Sequence, residues 1–564
     1  MNTLSSFYKI IPLAVVTLLM VSCEGFLDED PKGRLAPQYF FEARADFDAA
    51  VHALYAQTVA LGASEERVAA YVAGDDVTVN ARAMEWQAPY DVFYGVDDNN
   101  DGLHQQWEYL FTVVKAANFI INNAKLSSSI TQEILDNYLA QAYYWRAFAY
   151  YHLVTIWGPL PLIISDGVDY EAVLHPVDEI WTEVILPDIE KAELAPIRWS
   201  SVPGAAPQST VGNNVWVTQQ AAKASAAYLY LAYAGWPTNK TEYYARAAQK
   251  AKEVIDGVDN GTYPNGLMDE FWQNYSVTYK EDCKEALLSR YFRLTSLNNW
   301  SSYDVLPGDV VRINLETGVV SGGGGWQEFL GEIKFWNAFP EGPRKEQTYA
   351  PKTLIRDPDP DNNDAAILVD WWDERREDNI RTPWFIKTIA QRPVANGGYD
   401  GEYDYTLGAT GLNGFSEKAQ PLVRLSEVYC WYAEAVGRSG QGDKNKAVEL
   451  LNKVRNRADQ ALSNVYDASM SNEALAEAAL AEHGWEVAGD FYCIFAPRYF
   501  DMFRMNRMRE HFEYRQSNPG IEVAPGVIRK EVKAVPPGAS WNDRNIYAPY
   551  YGADAIINPN LVRP

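Results

Sequence analysis

Flat aromatic rings interleaved with amides, carboxylates and guanidinium groups are the side chains a sugar requires. A pyranose offers an apolar face of C–H groups and a rim of hydroxyls. Two stretches of this 564-residue chain carry the combination. The first, Asp75 to Asn100, supplies Arg82, Trp86, Tyr90, Tyr94, Asn99 and Asn100 and is broken by Pro89. The second lies mid-chain, where Tyr291, Trp300, Trp326 and Trp336 stand in loop-forming sequence rather than at helical spacing. Aromatic residues make up 13% of the chain, with 18 Trp and 36 Tyr, more than a core needs, so some of them face a ligand. For any single ring, burial in a local cluster competes with ligand contact, because tryptophan is usually buried.

The run Asp97 to Glu108 fits the spacing of a twelve-residue calcium loop. Asp97, Asn99 and Asp101 would be oxygen ligands, Gly102 the sharp turn and Glu108 the bidentate closer. Pro89 spoils the incoming helix and His104 replaces the usual apolar residue, so an acidic surface loop with a helix cap is the competing reading. No cofactor is expected beyond this alternative of a structural Ca2+. The six histidines show no HExxH or paired spacing, and no glycine-rich loop precedes a phosphate-binding lysine. With 75 acidic residues, a helical glycoside hydrolase remains an alternative, one that needs two carboxylates about 5 to 10 Å apart in an aromatic cleft.

A formal charge of -26 without a dense Lys/Arg stretch excludes nucleic acid and argues against direct attraction to anionic lipid. The N-terminus places Lys9 before an apolar run, Ile10 to Val21, which is a secretory signal and too short for a stable membrane span. Cys23 directly after Val21-Ser22 resembles the lipobox of bacterial lipoproteins, in which that cysteine is lipidated. Met20 stands where leucine is usual, and an ordinary secreted chain is the alternative. Cys283, Cys430 and Cys493 remain after processing and read as small core residues rather than a disulfide framework.

The elements that must position these residues are helices. Tyr138 to Ile164 carries one formal charge, Arg146, and its first part is apolar on every face, so other helices must enclose it; Gly158-Pro159 stops it. A buried guanidinium needs a partner, and Glu427 or Glu434 is the expected one. Helical spacing also marks Phe41 to Gly62, Trp107 to Ala124, a helix near Asp178, and the pair Val217 to Ala234 and Thr241 to Gly257. A second pair, Val423 to Gly440 and Gly442 to Ala458, turns at Ser439 to Gly442. Such hairpins read as degenerate TPR-like units. The chain divides into a signal peptide (1–22), a tether (23–40), a helical region (41–260), a loop-rich region (261–420) and a C-terminal helical pair with an irregular tail (421–564). No helix is expected after Arg509.

In order, several blocks resemble the SusD/RagB-type surface lipoproteins. They are Cys23 to Asp28 with Pro31-Lys32-Gly33, Trp107 with YLFTVVKAANFII, and YYWRAFAYYHLVTIWGPLPL. After these come PLVRLSEVYCWYAEA, LNKVRNRA, RYFDMFRM and Asn558 to Leu561. Two blocks depart from the family. AEHGWEVAGD keeps Glu482 and Glu486 but lacks the family's arginine, and Val562-Arg563-Pro564 replaces the closing Gln-Asn-Pro-Gly-Tyr. The resemblance implies a mainly α, TPR-like fold whose ligand face is an aromatic, loop-rich insertion, with Asp75 to Asn100 similar to the family's ligand-contacting loop. It further implies a lipid-anchored protein exposed on the outer membrane that caps a SusC-like TonB-dependent transporter and delivers oligosaccharides to it, without catalysis. Peptide capture, as in the RagB branch, is the alternative within the family.

Overall fold

The computed structural model describes residues 40–61, 66–80, 87–167, 169–199, 215–276, 282–290, 329–350, 352–356, 366–376, 378–385, 420–460, 464–490 and 497–562. Between these it also describes 279, 312–313, 320–321, 387, 391–393 and 399–403. Helix dominates. The expected helices form as α1 (Arg44–Leu61), α2 (Asp101–Asn123), α3 (Gln132–Trp157), α4 (Gln219–Ala234) and α5 (Tyr243–Asp259). Near Asp178 the chain forms helices Val177–Ile180 and Leu186–Lys191, joined by the π-helical Trp181–Ile185.

α3 is the centre. Thr131 caps it by accepting from the Ile134 N–H, and its residues are buried from Tyr144 to Trp157. Gly158 ends it at φ 76, where the Tyr547 ring lies 3.1 Å from the place a Cβ would occupy. Arg146 does find a partner, but not the expected one. Asp188 takes it in a bidentate pair at 2.6 and 3.0 Å, and Asn118 Oδ1 accepts a third N–H at 2.8 Å. Glu427 and Glu434 are used elsewhere: Glu427 accepts from the Arg424 N–H, and Glu434 holds Arg504.

The second helical pair is α7 (Leu425–Ser439) and α8 (Lys444–Asp459), followed by α9 (Asn472–Val487) and preceded in the chain by α6 (Ile333–Ala338). Gly440 takes the left-handed conformation at the turn, and Asp443 caps α8 through the Lys446 N–H. Gly437 is required by proximity, since a Cβ there would stand 2.5 Å from the Asn472 carbonyl oxygen of α9. α4 and α5 pack on α7, so residues from both ends of the chain enter one hydrophobic core. Cys283 and Cys430 are unpaired and buried in the described structure.

The strands are short. Of these, β1 (Val77–Val79) pairs antiparallel with β3 (Phe329–Gly331), and β2 (Ala286–Arg290) with β4 (Gln420–Arg424). The second ladder sets residue 290 beside residue 420, which brings the end of the loop-rich region back against β2.

The tail differs from expectation. It contains α10 (Arg498–Arg504), then α11 (Met508–Ser517) and α12 (Gly552–Ile557). α11 escaped the sequence reading because its buried stripe is Met508, His511, Phe512 and Arg515, half of it polar. The burial of Arg515 is tolerated because Asp91 lies 2.8 Å away. The tail clamps the end of α3, with the Ala548 N–H donating to the Ile156 carbonyl at 2.7 Å and the Tyr550 hydroxyl to that of Pro159 at 2.5 Å.

Candidate ligand-binding face

The β1–β3 ladder joins the two aromatic-bearing stretches. Its register sets Val77 opposite Gly331 and Val79 opposite Phe329, and the Glu332 N–H donates to the Asp76 carbonyl at 3.0 Å. Charges clamp β1 from below. Arg498 forks onto Asp75 at 2.8 and 3.1 Å, while Asp91 accepts from the Thr78 hydroxyl, the Val79 N–H and Arg515. Burial pushes the Asp76 carboxyl up to about 7 against the Gly489 N–H it accepts, and Asp75 adds to the rise. Burial, reinforced by Arg515, pushes His511 down to about 3, and burial raises Glu332 well above the usual carboxylate range.

Directly after β3 comes α6 (Ile333–Ala338), which carries Trp336. This ring is half-buried, edge-on to Trp371 at 5.1 Å and tilted against Trp372 at 5.9 Å, with the Lys345 ammonium 4.0 Å above it. Trp371 and Trp384, mid-chain tryptophans in the same loop-rich region, are core residues. On the other stretch, Tyr94 is 46% exposed in a turn made by positive φ at Phe93 and Gly95. Asn99 is exposed and its amide donates to Asp98.

Two expectations for this stretch need correction. Asn100 is buried, and its side chain accepts the Leu103 N–H as the cap of α2, which occupies the group expected to meet a ligand. The calcium wrap is not formed either, because α2 begins at Asp101, in the middle of the proposed loop. Helical rise then places Glu108 about 10 Å along the axis from Asp101, too far to share an ion with it. Asp97 instead accepts the Asn99 N–H and Asp101 the Gln105 amide. Among the described residues no group of three His, Cys, Asp or Glu side chains is placed to hold a metal. Arg82, Trp86, Tyr291, Trp300, Trp326 and Cys23 lie outside the described residues.

Sequence reasoning missed a cleft of about 440 Å³ beside this face, between α2, residues 161–172 and α12. Trp107, Phe111, Ile163, Tyr170, Ile557 and Leu561 line it. At its end His104 stacks on Tyr551 at 3.9 Å and lies 3.5 Å from Asp554. The signal available in the sequence was the Trp107/Phe111 pair one turn apart together with the two isoleucines of the tail, but nothing in the sequence says that these elements meet.

Two family models match the chain: residues 403–563 fit the SusD family, and residues 25–231 fit a family described as starch-binding associating with outer membrane. Among curated relatives, a SusD-like protein of Bacteroides ovatus is 25% identical over 465 residues, 80% of this chain and 76% of that protein. SusD-like protein P2 of Formosa agariphila is 30% identical over 192 residues, 33% of this chain, and the match spans only 37% of that relative's length. In fold, the chain is similar to a SusD homolog from Bacteroides thetaiotaomicron (TM-score 0.68, 14% identity, 93% of this chain and 97% of the other). It is also similar to surface glycan-binding protein A from Bacteroides uniformis (TM-score 0.64, 18% identity, 92% and 98%). A third similar structure was solved with a xylogluco-oligosaccharide (TM-score 0.64, 20% identity, 92% and 98%).

Proposed function

Because this chain belongs to the SusD-like family, we propose that it captures oligosaccharides at the outer membrane and delivers them to a SusC-like TonB-dependent transporter. The observation that carries this reading is the β1–β3 ladder. It pairs Val77–Val79 with Phe329–Gly331, and the sequence that flanks these strands carries Arg82, Trp86, Tyr94 and Asn99 on one side and Tyr291, Trp300, Trp326 and Trp336 on the other. Those rings supply the stacking platforms, and the amides and guanidinium meet hydroxyls. Xylogluco-oligosaccharide is bound by a structure of the same fold, and another such structure is a surface glycan-binding protein. Cys23 carries the lipid that holds the body at the cell surface. The protein binds and releases without catalysis, so affinities in the micromolar to millimolar range, about -8 to -4 kcal/mol, are expected.

Calorimetric titration of the protein lacking residues 1–23 against soluble plant and host polysaccharides and a peptide mixture tests this, with reducing-sugar release assayed in the same tubes. Saturable sugar binding without release is the expected result. Heat from peptide alone would transfer the protein to the peptide-binding branch, and sugar release would make it a hydrolase. Trp86→Ala and Trp300→Ala should each weaken sugar binding by roughly tenfold, about 1.4 kcal/mol. Their unfolding temperatures should stay unchanged; a large drop would assign the ring to the core.

A further inference from the structure

The cleft between α2 and α12 has no part in that proposal, yet it is open and apolar. Around its mouth Tyr170 is 65% exposed and Ile557 62%, and on the adjoining tail Ile556 is 85% exposed. Contiguous exposed apolar surface of this kind marks a place that something covers. The rim is acidic: Glu108, Asp166, Asp169 and Asp554 outnumber Lys115 and His104. A sugar would need these polar groups free for its hydroxyls. However, Asp166 is taken by the Asn122 and Asn123 amides, Asp554 faces His104, and Asn558 donates to the Ala172 carbonyl. An extended peptide with apolar side chains and basic flanks fits such a groove better.

The chain itself supplies one. The described residues begin at Phe40, whose ring lies 5.6 Å from that of Phe119 on α2. Phe119, Lys115, Thr112 and Glu108 follow helical spacing along one face, and the last three line the cleft. Immediately before Phe40 the sequence reads Lys32-Gly33-Arg34-Leu35-Ala36-Pro37-Gln38-Tyr39, two cations among apolar residues. The axial path from Phe119 to Glu108 is about 16 Å, and eight extended residues reach about 26 Å. We infer that residues 32–39 run along α2 and dock in the cleft, with Leu35 and Tyr39 against its apolar lining and Lys32 and Arg34 toward Glu108 and Asp169. If Cys23 is the anchor, as proposed above, only residues 23–31 remain free, and the body stands on the membrane in a fixed orientation.

Hydrogen exchange on the full mature chain tests the docking. The triple variant Lys32→Glu, Arg34→Glu, Leu35→Asp should exchange about tenfold faster at residues 161–172 and 552–561, and remain unchanged in α7 and β4. A synthetic peptide of residues 31–39 added to the variant should restore protection, and Ile557→Asp in the otherwise unaltered chain should reproduce the loss. Unchanged exchange in both variants would overturn the inference. So would protection that depends on protein concentration, which would place a second copy there, or protection conferred by a soluble oligosaccharide instead of the peptide. Sugar titration of the triple variant separates the two proposals, because undiminished sugar binding is expected whether or not the tether docks.

Discussion

Beneath α7, α8 and α9, Glu486 lies fully buried and receives Arg344 at 2.9 Å, Arg424 at 2.8 Å and Arg457. At the start of α2, by contrast, Asp97, Asp98 and Asp101 stand exposed and bond to near neighbours in the chain. The buried set is balanced. Arg344, Arg424, Arg455 and Arg457 face Glu285, Asp459, Glu482 and Glu486, four charges of each sign drawn from five separate stretches of sequence. Burial alone would raise the Glu486 carboxyl, but Arg457, Arg424 and Arg344 hold it well below the usual carboxylate range. Similar residue types therefore serve two ends. Inside, they fix which helices meet; outside, they leave a polar edge beside the exposed Tyr94.

Glu486→Gln should have the largest effect. It leaves three guanidinium groups short of a charge, and breaking a buried pair costs about 3 to 5 kcal/mol, readable as a lower urea midpoint with unchanged slope. Next comes His483, which follows Glu482 on α9. Burial opposes its charge, but Asp501 at 2.8 Å and Glu427 at 3.3 Å prevail and raise it to about 9. A folded-state value above the unfolded 6.5 contributes stability that is full below pH 6.5 and is lost as pH rises through 9. Thermal unfolding followed from pH 6 to 10 should therefore show a decline worth on the order of 3 kcal/mol. Asp76, raised from 3.8 to about 7, adds a loss in the same direction, but between those two values and so mostly below this range. His483→Arg should keep the cation and remove the decline between pH 6.5 and 9; an unchanged slope would mean that His483 is neutral in the folded protein.

Smaller effects belong to the exposed side of the comparison. Asn100→Ala removes the α2 cap and should cost about 1 kcal/mol in chemical denaturation. Paired Asp97→Asn and Asp98→Asn should shift stability by no more than about 0.5 kcal/mol. Added Ca2+ should leave the melting temperature of the parent protein where it was, since the wrap for the ion is not formed. A rise of several degrees on adding millimolar Ca2+ would restore the calcium reading.

The helices were legible because their apolar residues repeat at three and four positions, and α3 was legible as central because no face of it suits water. α11 was not legible, because the fold buries Arg515 and His511 on the side where the pattern requires apolar residues. Arg146 showed the same limit. Its need for a partner could be read from the sequence, but the choice of Asp188 over Glu427 and Glu434 depends on which helix lies alongside. Of the candidate site, the two aromatic stretches could be found by composition, whereas the commitment of Asn100 to a cap and the packing of Trp336 beside Trp371 and Trp372 could not.

By itself, then, the sequence determined the helical class, the family and the position of two aromatic-rich stretches, because periodicity and residue type are local properties. Only the tertiary structure decided that β1 meets β3, that Glu486 gathers three arginines, and that α2 and α12 leave a cleft between them. Each of these joins residues far apart in the chain, and a buried charge or an open groove is defined only by what packs around it.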